Sequence, residues 1–220
     1  MANGKITVTG RGRLSLRPDL TVVSLSVKSL DRDYDRSMAS SEEKLASLKS
    51  GLAGAGFVER DLKTEDFSVN TEYEGVHDPK TGGYRPEFRG YRCTHRLKLE
   101  FAFDTHLLSR VLTVIAHSVA EPELDVRFTV KDKGAAAEEL LRAAAADAKA
   151  KAEILADASG AALGALVSID YSRGELPMYS QTRYAVADAA LMKSTAARGV
   201  SIEPTDIDLE DSAVFVYELI

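Results

Sequence analysis

The sequence predicts an α+β protein of two β-α-β-β halves, with antiparallel sheets and helices packed on one face. One order of strand and helix patterns occurs twice along the chain. The helical patterns carry a periodic apolar or alanine stripe, and the strand patterns alternate apolar and polar residues, which is typical of antiparallel sheets with one buried face. The repeat divides the chain into halves at 1–103 and 104–220, as two domains or as one continuous domain.

The first half opens with a strand pattern at 6–8. Gly10 and Gly12 follow it, and two glycines one residue apart predict a bulge or a sharp bend. Asp31 or Asp33 is suited to cap the first long helix, because a short carboxylate accepts the free N–H groups of a helix start. The strand, helix and two strands of the first copy are predicted over 20–27, 34–52, 62–73 and 91–103.

The second copy begins after a short helix that Asp104 is suited to cap. Its long helix is rich in alanine, the best helix former, and needs little tertiary help to be helical. The predicted inner stripe of this helix comprises Leu141, Ala144, Ala148, Ala152 and Leu155. The strand, helix and two strands of this copy are predicted over 124–130, 135–158, 167–171 and 207–219.

A long insert at 172–202 separates the last two strands of the second copy, with a short helix predicted over 185–198. A connection of this length in a compact domain usually has a function or is disordered. The alternatives are an interaction surface and a loop folded back over its own sheet. The insert's candidate interaction residues are of types favoured at interfaces and are Met178, Tyr179, Tyr184, Leu191 and Met192.

The overall composition excludes several classes of protein. The net charge of −6 argues against a nucleic-acid partner, because such proteins usually carry a basic excess. A single cysteine, Cys93, excludes an intrachain disulfide framework and a cysteine-based zinc site. The four histidines have no metal-ligand spacing, so we predict neither a metal nor a cofactor.

No run in the sequence approaches the roughly 20 apolar residues of a membrane-spanning helix, so no transmembrane segment is predicted. The first residues lack the charged and apolar regions of a secretory signal. As written, the sequence predicts a cytoplasmic protein, or a protein of the periplasm or cell envelope if a leader was removed.

Cys93 and His95 lie two residues apart in a predicted strand, so their side chains point to the same face. Such a pair can generate a reactive thiolate. The alternative is that Cys93 is a small buried hydrophobe beside Tyr91 and Leu97 on the apolar face. We favour the buried reading, because nothing in this strand supplies a third, orienting group.

Positive charge concentrates around the fourth predicted strand, with aromatic residues between the cations. This is the best nucleic-acid signal in the chain, but the acidic total opposes it. A subunit interface that pairs this stripe with the acidic stretch at 203–211 explains it equally well, and Arg92 and Arg96 are its candidate interaction residues. The full stripe is Arg85, Arg89, Arg92, Arg96 and Lys98.

Several blocks, taken in their order and spacing, resemble the SIMPL-domain family of bacterial proteins, which includes periplasmic stress-related and outer-membrane immunogenic members. The likeness runs from about Ile6 to about Glu218. Gly10-Arg-Gly12 stands where family members often read Gly-Glu-Gly. The blocks are 6–12 with Pro18-Asp19, 62–73, Gly90-Tyr91, 126–128 with 143–156 and Gly160, Leu163-Gly164, and 202–204.

The resemblance implies an α+β fold, assembly into large rings or channel-like oligomers, and no established enzymatic activity. It supplies no catalytic residues. We therefore expect a non-enzymatic, homo-oligomeric scaffold or protein-interaction protein, with a link to stress. The alternatives are a module that binds an unidentified small ligand and a thiol-based enzyme that uses Cys93.

Overall fold

The computed structural model of the protein describes residues 4–77, 82–172, 174, 176–187 and 201–220. Its antiparallel sheets and packed helices confirm the predicted α+β class. A single turn of 3-10 helix at Glu59–Asp61 precedes the third strand. The elements in chain order are β1 (Lys5–Leu16), β2 (Leu20–Asp31), α1 (Tyr34–Gly54), β3 (Leu62–His77), β4 (Tyr84–Ala102), α2 (Thr105–His117), β5 (Glu123–Thr129), α3 (Lys133–Ala158), β6 (Leu163–Asp170), β7 (Tyr179–Val186) and β8 (Ile207–Leu219).

The chain forms two compact units that interleave along the sequence. Unit 1 comprises Met1–Asp19, Thr129–Gln181 and Thr205–Ile220, and unit 2 comprises Leu20–Phe128 and Thr182–Pro204. The boundary between residues 103 and 104 that the repeat suggests falls inside unit 2.

Unit 2 is built on a five-stranded sheet in the order β3-β4-β2-β5-β7. One face of this sheet carries the core, because the strands place an apolar residue at every second position. Helices α1 and α2 cover that face and contribute Leu48, Leu52, Leu108 and Ile115, all almost fully buried. The opposite face of the sheet carries the polar and charged residues of the same strands.

Unit 1 contains a three-stranded sheet in the order β1-β8-β6, with α3 packed on β1 and β8. The first and last strands of the chain pair along their whole length, from Lys5 opposite Glu218 to Leu16 opposite Ile207. The second predicted β-α-β-β copy is thus divided between sheets, because β5 joins β2 while β6 and β8 join β1.

The predicted insert contains strand β7. Tyr184 and Val186 on this strand pack against the core of unit 2, whereas Arg183 and Ala185, which alternate with them, are exposed. The alternation covers few residues, which explains why it gave no strand prediction. Ala185 and Val186, the start of the predicted short helix, end this strand, and that helix from residue 188 onward lies outside the described residues.

Gly10 and Gly12 make neither a bulge nor a bend, because β1 keeps a continuous register with β8 through both positions. They let α3 lie directly on the strand. A Cβ atom at Gly10 would lie 2.0 Å from the carbonyl oxygen of Ala144, and one at Gly12 would lie 2.0 Å from that of Leu140. Absence of side chains at these positions is therefore a packing requirement of unit 1.

The buried residues on the inner face of α3 occur mainly at every fourth position. The three alanines at its centre confirm the predicted stripe, while its apolar ends differ from the prediction. Leu155 is 50% exposed, and its predicted place is taken by Ala156, which is 1% exposed. The buried residues at this spacing are Ala136, Leu140, Ala144, Ala148, Ala152 and Ala156, and Ala137 is buried beside them.

We expect Gly10→Ala to lower the free energy of unfolding by about 1–3 kcal/mol or more, because the new methyl group forces α3 away from β1. Gly54→Ala is the matched control, since a Cβ atom there meets nothing within 4 Å. The control should be neutral or stabilise the protein by about 0.5–1 kcal/mol. Urea unfolding followed by circular dichroism measures both changes, and equal stability of the two variants would contradict the packing role of Gly10.

Candidate functional site

The candidate residues of the insert divide between buried and exposed positions. Met178 is 4% exposed and packs in the core of unit 1, where its carbonyl oxygen accepts a hydrogen bond from Thr129 Oγ1. Tyr179 is 39% exposed, and the Lys133 ammonium group lies 4.6 Å from the centre of its ring. Tyr184 is half-buried. The Met178 side chain is thus not available at the surface.

Leu191 and Met192, the other two candidates of the insert, lie outside the described residues. The predicted apolar interaction surface of the insert therefore reduces, within the described residues, to the exposed part of Tyr179 and the partly covered ring of Tyr184.

The basic stripe on β4 is largely neutralised by acidic residues of unit 2. Arg92 forms a two-pronged salt bridge with Glu72 of β3, and hydrogen bonding to Arg92 holds the pKa of the Glu72 carboxyl below its usual range. Lys98 contacts Glu65 at 3.4 Å and Glu100 at 3.3 Å.

Two arginines of the stripe differ from the others. Arg85 and Arg96 have no ion pair or side-chain hydrogen bond anywhere in the described part of the chain. Arg85 lies near the first residue of β4, where β4 pairs with β3 and not with β2. Arg96 lies at the centre of β4, where polar residues of both β2 and β3 are opposite it.

The acidic stretch near the C-terminus is engaged within unit 1. Glu210 accepts a hydrogen bond from Arg13 Nε at 2.9 Å, and Asp208 accepts one from Ser15 Oγ at 2.6 Å. Asp211 accepts one from the Tyr171 hydroxyl at 2.9 Å. Local partners thus satisfy much of the acidic stretch and of the basic stripe, and neither requires a subunit interface to explain its charge.

Cys93 is fully buried, with 0% exposure, so its thiol has no access to solvent in the native state. His95, on the same face of β4, joins Thr64 Oγ1 through Nε2 at 2.8 Å and packs edge-to-face against Phe67. Burial lowers the pKa of His95, and the nearby Lys49 ammonium group lowers it further. This arrangement stabilises a neutral imidazole.

No group of three or more potential metal ligands occurs among the described residues. Within the same residues, no helix has the length and apolar character needed to cross a membrane.

A paired extension of β3 and β4 presents aromatic rings to solvent. Beyond the last β2–β4 pair, Asp31 with Tyr91, these strands continue as a two-stranded arm in which His77 lies opposite Tyr84. The rings contact edge-to-face along it, with Tyr73 and Phe88 5.6 Å apart. A two-stranded ribbon is only marginally stable in water, and such contacts contribute about 0.5–1.5 kcal/mol each.

Strand β1, at one edge of the three-stranded sheet, is covered by α3. The N–H of Arg11 donates to Asp147 Oδ2 at 2.7 Å, and Lys151 Nζ donates to the carbonyl oxygen of Thr9 at 3.2 Å. Side chains of the helix thus satisfy backbone groups that would otherwise be free to pair with another strand. Hydrogen bonding to Lys151 and to the Arg11 N–H lowers the pKa of Asp147, which favours the ionised form that this contact uses.

Strand β3 lies at one edge of the five-stranded sheet. Its charged residues and its irregular pairing with β4 both oppose the addition of another strand. Its register with β4 shifts between Thr64 and Asp66 and again between Glu72 and Tyr73. Such irregularities twist an edge, and charged side chains along it oppose pairing with another chain. Its charged residues are Lys63, Glu65, Asp66, Glu72 and Glu74.

Strand β6 lacks the charged residues that protect β3, although its register with β8 also shifts, between Leu163 and Leu166 and between Leu166 and Ser168. It lies at the second edge of the three-stranded sheet, and its only charged residue, Asp170, is at its end. Leu166, Val167 and Ile169 are 48%, 43% and 53% exposed. We call this outer rim of Leu163–Asp170 the β6 edge.

The apolar residues of the β6 edge are exposed because α3 lies over β1. Leu166 stands opposite Tyr217 and Ile169 opposite Phe215, two side chains buried on the helix-covered face. Leu166 and Ile169 therefore extend that apolar face beyond the area that the helix covers. The sequence predicts a strand at 167–171, within and beside β6. It does not predict that this strand is an edge, because strand order is a tertiary property.

The fold and these surfaces belong to a known class of protein. The chain is a member of the SIMPL family, described as a protein of unknown function (DUF541), whose model matches residues 6–217. This confirms the family predicted from the sequence blocks.

Two relatives carry the name 26 kDa periplasmic immunogenic protein. One is from Brucella melitensis biotype 1 and the other from Brucella abortus strain S19. Each is 29% identical over 178 residues, which cover 79% of this chain and 69% of the relative.

We expect the stability of the protein to fall as the pH decreases below about 6.5, the ordinary pKa of histidine. The unfolded chain then binds a proton at His95 that the folded protein resists, because the folded pKa is lowered. Urea unfolding between pH 7.5 and 5.5 measures this slope, and His95→Gln should reduce it.

His106→Gln is the matched control, because His106 is exposed on α2 and lies outside the packing around Thr64. It should leave the slope close to that of the wild-type protein. An unchanged slope in His95→Gln would show that His95 does not supply the pH dependence.

Proposed function

We propose that this protein is a non-enzymatic scaffold that associates with copies of itself through the β6 edge. The supporting observation is the difference between this edge and the two other edges compared above. Side chains of α3 bond the outer backbone groups of β1, and charged residues line β3, whereas the β6 edge presents an apolar strand whose one charge is at its end. Such an edge suits the addition of another strand.

A second copy is a suitable partner because the β6 sequence is compatible with itself. A two-fold axis through the middle of β6 pairs it antiparallel with its own copy and joins two three-stranded sheets into one. In that register Asp170 lies opposite Leu163 of the second copy, so no like charges meet.

The expected affinity is moderate. Leu166, Val167 and Ile169 are each about half exposed, so burying the exposed half contributes roughly half of the free energy of full burial. This is about 1 kcal/mol per side chain in each copy. Backbone hydrogen bonds between the two strands add about 0.5–1.5 kcal/mol each. Association opposes this with about 4–15 kcal/mol of lost translational and rotational freedom.

We propose the periplasm as the location of the protein. The names of the two Brucella relatives support this location over the cytoplasmic reading of the sequence. The thiol-enzyme alternative has less support, because the Cys93 side chain is fully buried.

We expect the wild-type protein to sediment as a species heavier than its 23.8 kDa monomer, and Val167→Lys to shift it towards the monomer. The lysine places like charges near the two-fold axis and opposes strand addition. Sedimentation velocity over a range of concentrations measures both. Val119→Lys is the matched control, because Val119 is 65% exposed and belongs to unit 2, whereas β6 belongs to unit 1.

The Val119→Lys variant should sediment with the same molecular mass as the wild-type protein. A wild-type protein that remains monomeric at every concentration would refute self-association. A Val167→Lys variant that keeps the wild-type mass would refute the β6 edge as the contact.

A further inference from the structure

A groove with a mixed apolar and polar lining lies on the face of the five-stranded sheet opposite the helices. It has a volume of about 700 Å³, which is within the range of small-molecule sites, and all of its described lining belongs to unit 2. The side chains that matter to its chemistry are Ser24, Ser26, Glu65, Arg96, Glu123 and Arg183. We call it the Arg96 groove.

The acidic groups that line the groove already have cationic partners. Glu65 contacts Lys98 at 3.4 Å, and Glu123 forms a salt bridge with Lys28. These pairs leave the acidic side chains little capacity to neutralise a further cation in the groove.

Asp125, also in the lining, accepts a hydrogen bond from Arg183 Nε at 2.6 Å and one from Arg127 Nε at 3.0 Å. Burial alone would raise the pKa of Asp125, but the hydrogen bonds from these two arginines outweigh it and lower the pKa. The carboxylate is therefore ionised and committed to its partners.

Arg96 is the cation left over in this arrangement. Its guanidinium group has no ion pair or hydrogen bond within the described residues. Asp66 lies opposite it on β3, yet the two form no ion pair within 4.0 Å.

Two hydroxyl groups lie beside Arg96 on the same face. Ser26 is directly opposite Arg96 in the β2–β4 register, and Ser24 is one step further along β2 on that face. Both serines are half-buried, and neither hydroxyl has a hydrogen-bond partner in the described part of the chain. The groove thus brings together an uncommitted guanidinium group and two uncommitted hydroxyl donors.

We propose that the Arg96 groove binds a small molecule through an oxyanion, either a carboxylate or a phosphate. The planar guanidinium fork matches two oxygens of such a group, and the serine hydroxyls donate to the same group. The volume of the groove accommodates further atoms of the ligand across β2 and β5 towards Arg183 on β7. This site is independent of the β6 edge, which lies in unit 1.

The test is thermal unfolding of the full chain with sodium phosphate or sodium acetate as the probe, at constant ionic strength. A ligand that binds the native state at ten times its dissociation constant should raise the apparent Tm by about 3–5 °C, and the rise should saturate with concentration. The probe that saturates at the lower concentration identifies the preferred oxyanion.

Arg96→Gln should weaken the response at least tenfold in probe concentration, and Ser26→Ala should weaken it by a smaller factor. Arg85→Gln is the matched control, because Arg85 is also exposed and unpaired in the described structure but lies outside the groove lining. It should respond as the wild-type protein does.

Two results would overturn the proposal: a response to both probes that does not saturate, or equal responses in Arg96→Gln and Arg85→Gln. Either result leaves self-association unaffected, because the sedimentation measurement uses a surface in unit 1 and no probe. Because Arg96 is exposed, Arg96→Gln should fold normally, and its circular dichroism spectrum verifies this.

Discussion

Unit 1 depends on the direct contact between α3 and β1. The backbone carbonyl groups of the helix lie where side chains of Gly10 and Gly12 would stand, and the row of alanines on α3 keeps the helix equally close. A helix seated over β1 covers that edge of the three-stranded sheet and supplies Asp147 and Lys151 to its backbone groups. The same position leaves β6 uncovered. One close contact therefore determines both the protected edge and the open edge.

The polar face of unit 2 follows a different principle. Its cations and anions alternate between neighbouring strands, so that most are paired across the sheet. Exposed ion pairs of this kind contribute only about 0–1 kcal/mol each, and stability does not require so many. Among the residues that the structure describes, Arg96 has no such partner and lies beside two serine hydroxyls. This unpaired guanidinium group is the basis of the anion preference that we propose for the groove.

Local patterns were sufficient to place most of the elements. The alternation in β4 and the caps at Asp33 and Asp104 predicted strands and helices that the structure contains. They failed where a residue's partner is distant in sequence. Gly10 indicated a bend, because its actual neighbour, Ala144, is more than one hundred residues away. Met178 is of a type common at interfaces, but its burial depends on core contacts that no local pattern reveals.

The sequence by itself determined the α+β class, the SIMPL family and the amphipathic character of each element, since these depend on periodicity, propensity and the order of blocks along the chain. Only the tertiary structure decided that β8 pairs with β1 and β6, that β6 is an edge, and that Arg96 has no partner among the described residues. Strand order and salt-bridge partners join residues far apart in sequence. The free energies of strand pairing and of salt bridges depend on the geometry of the whole fold. Neighbouring residues in the chain therefore do not predict which strands pair or which charges meet.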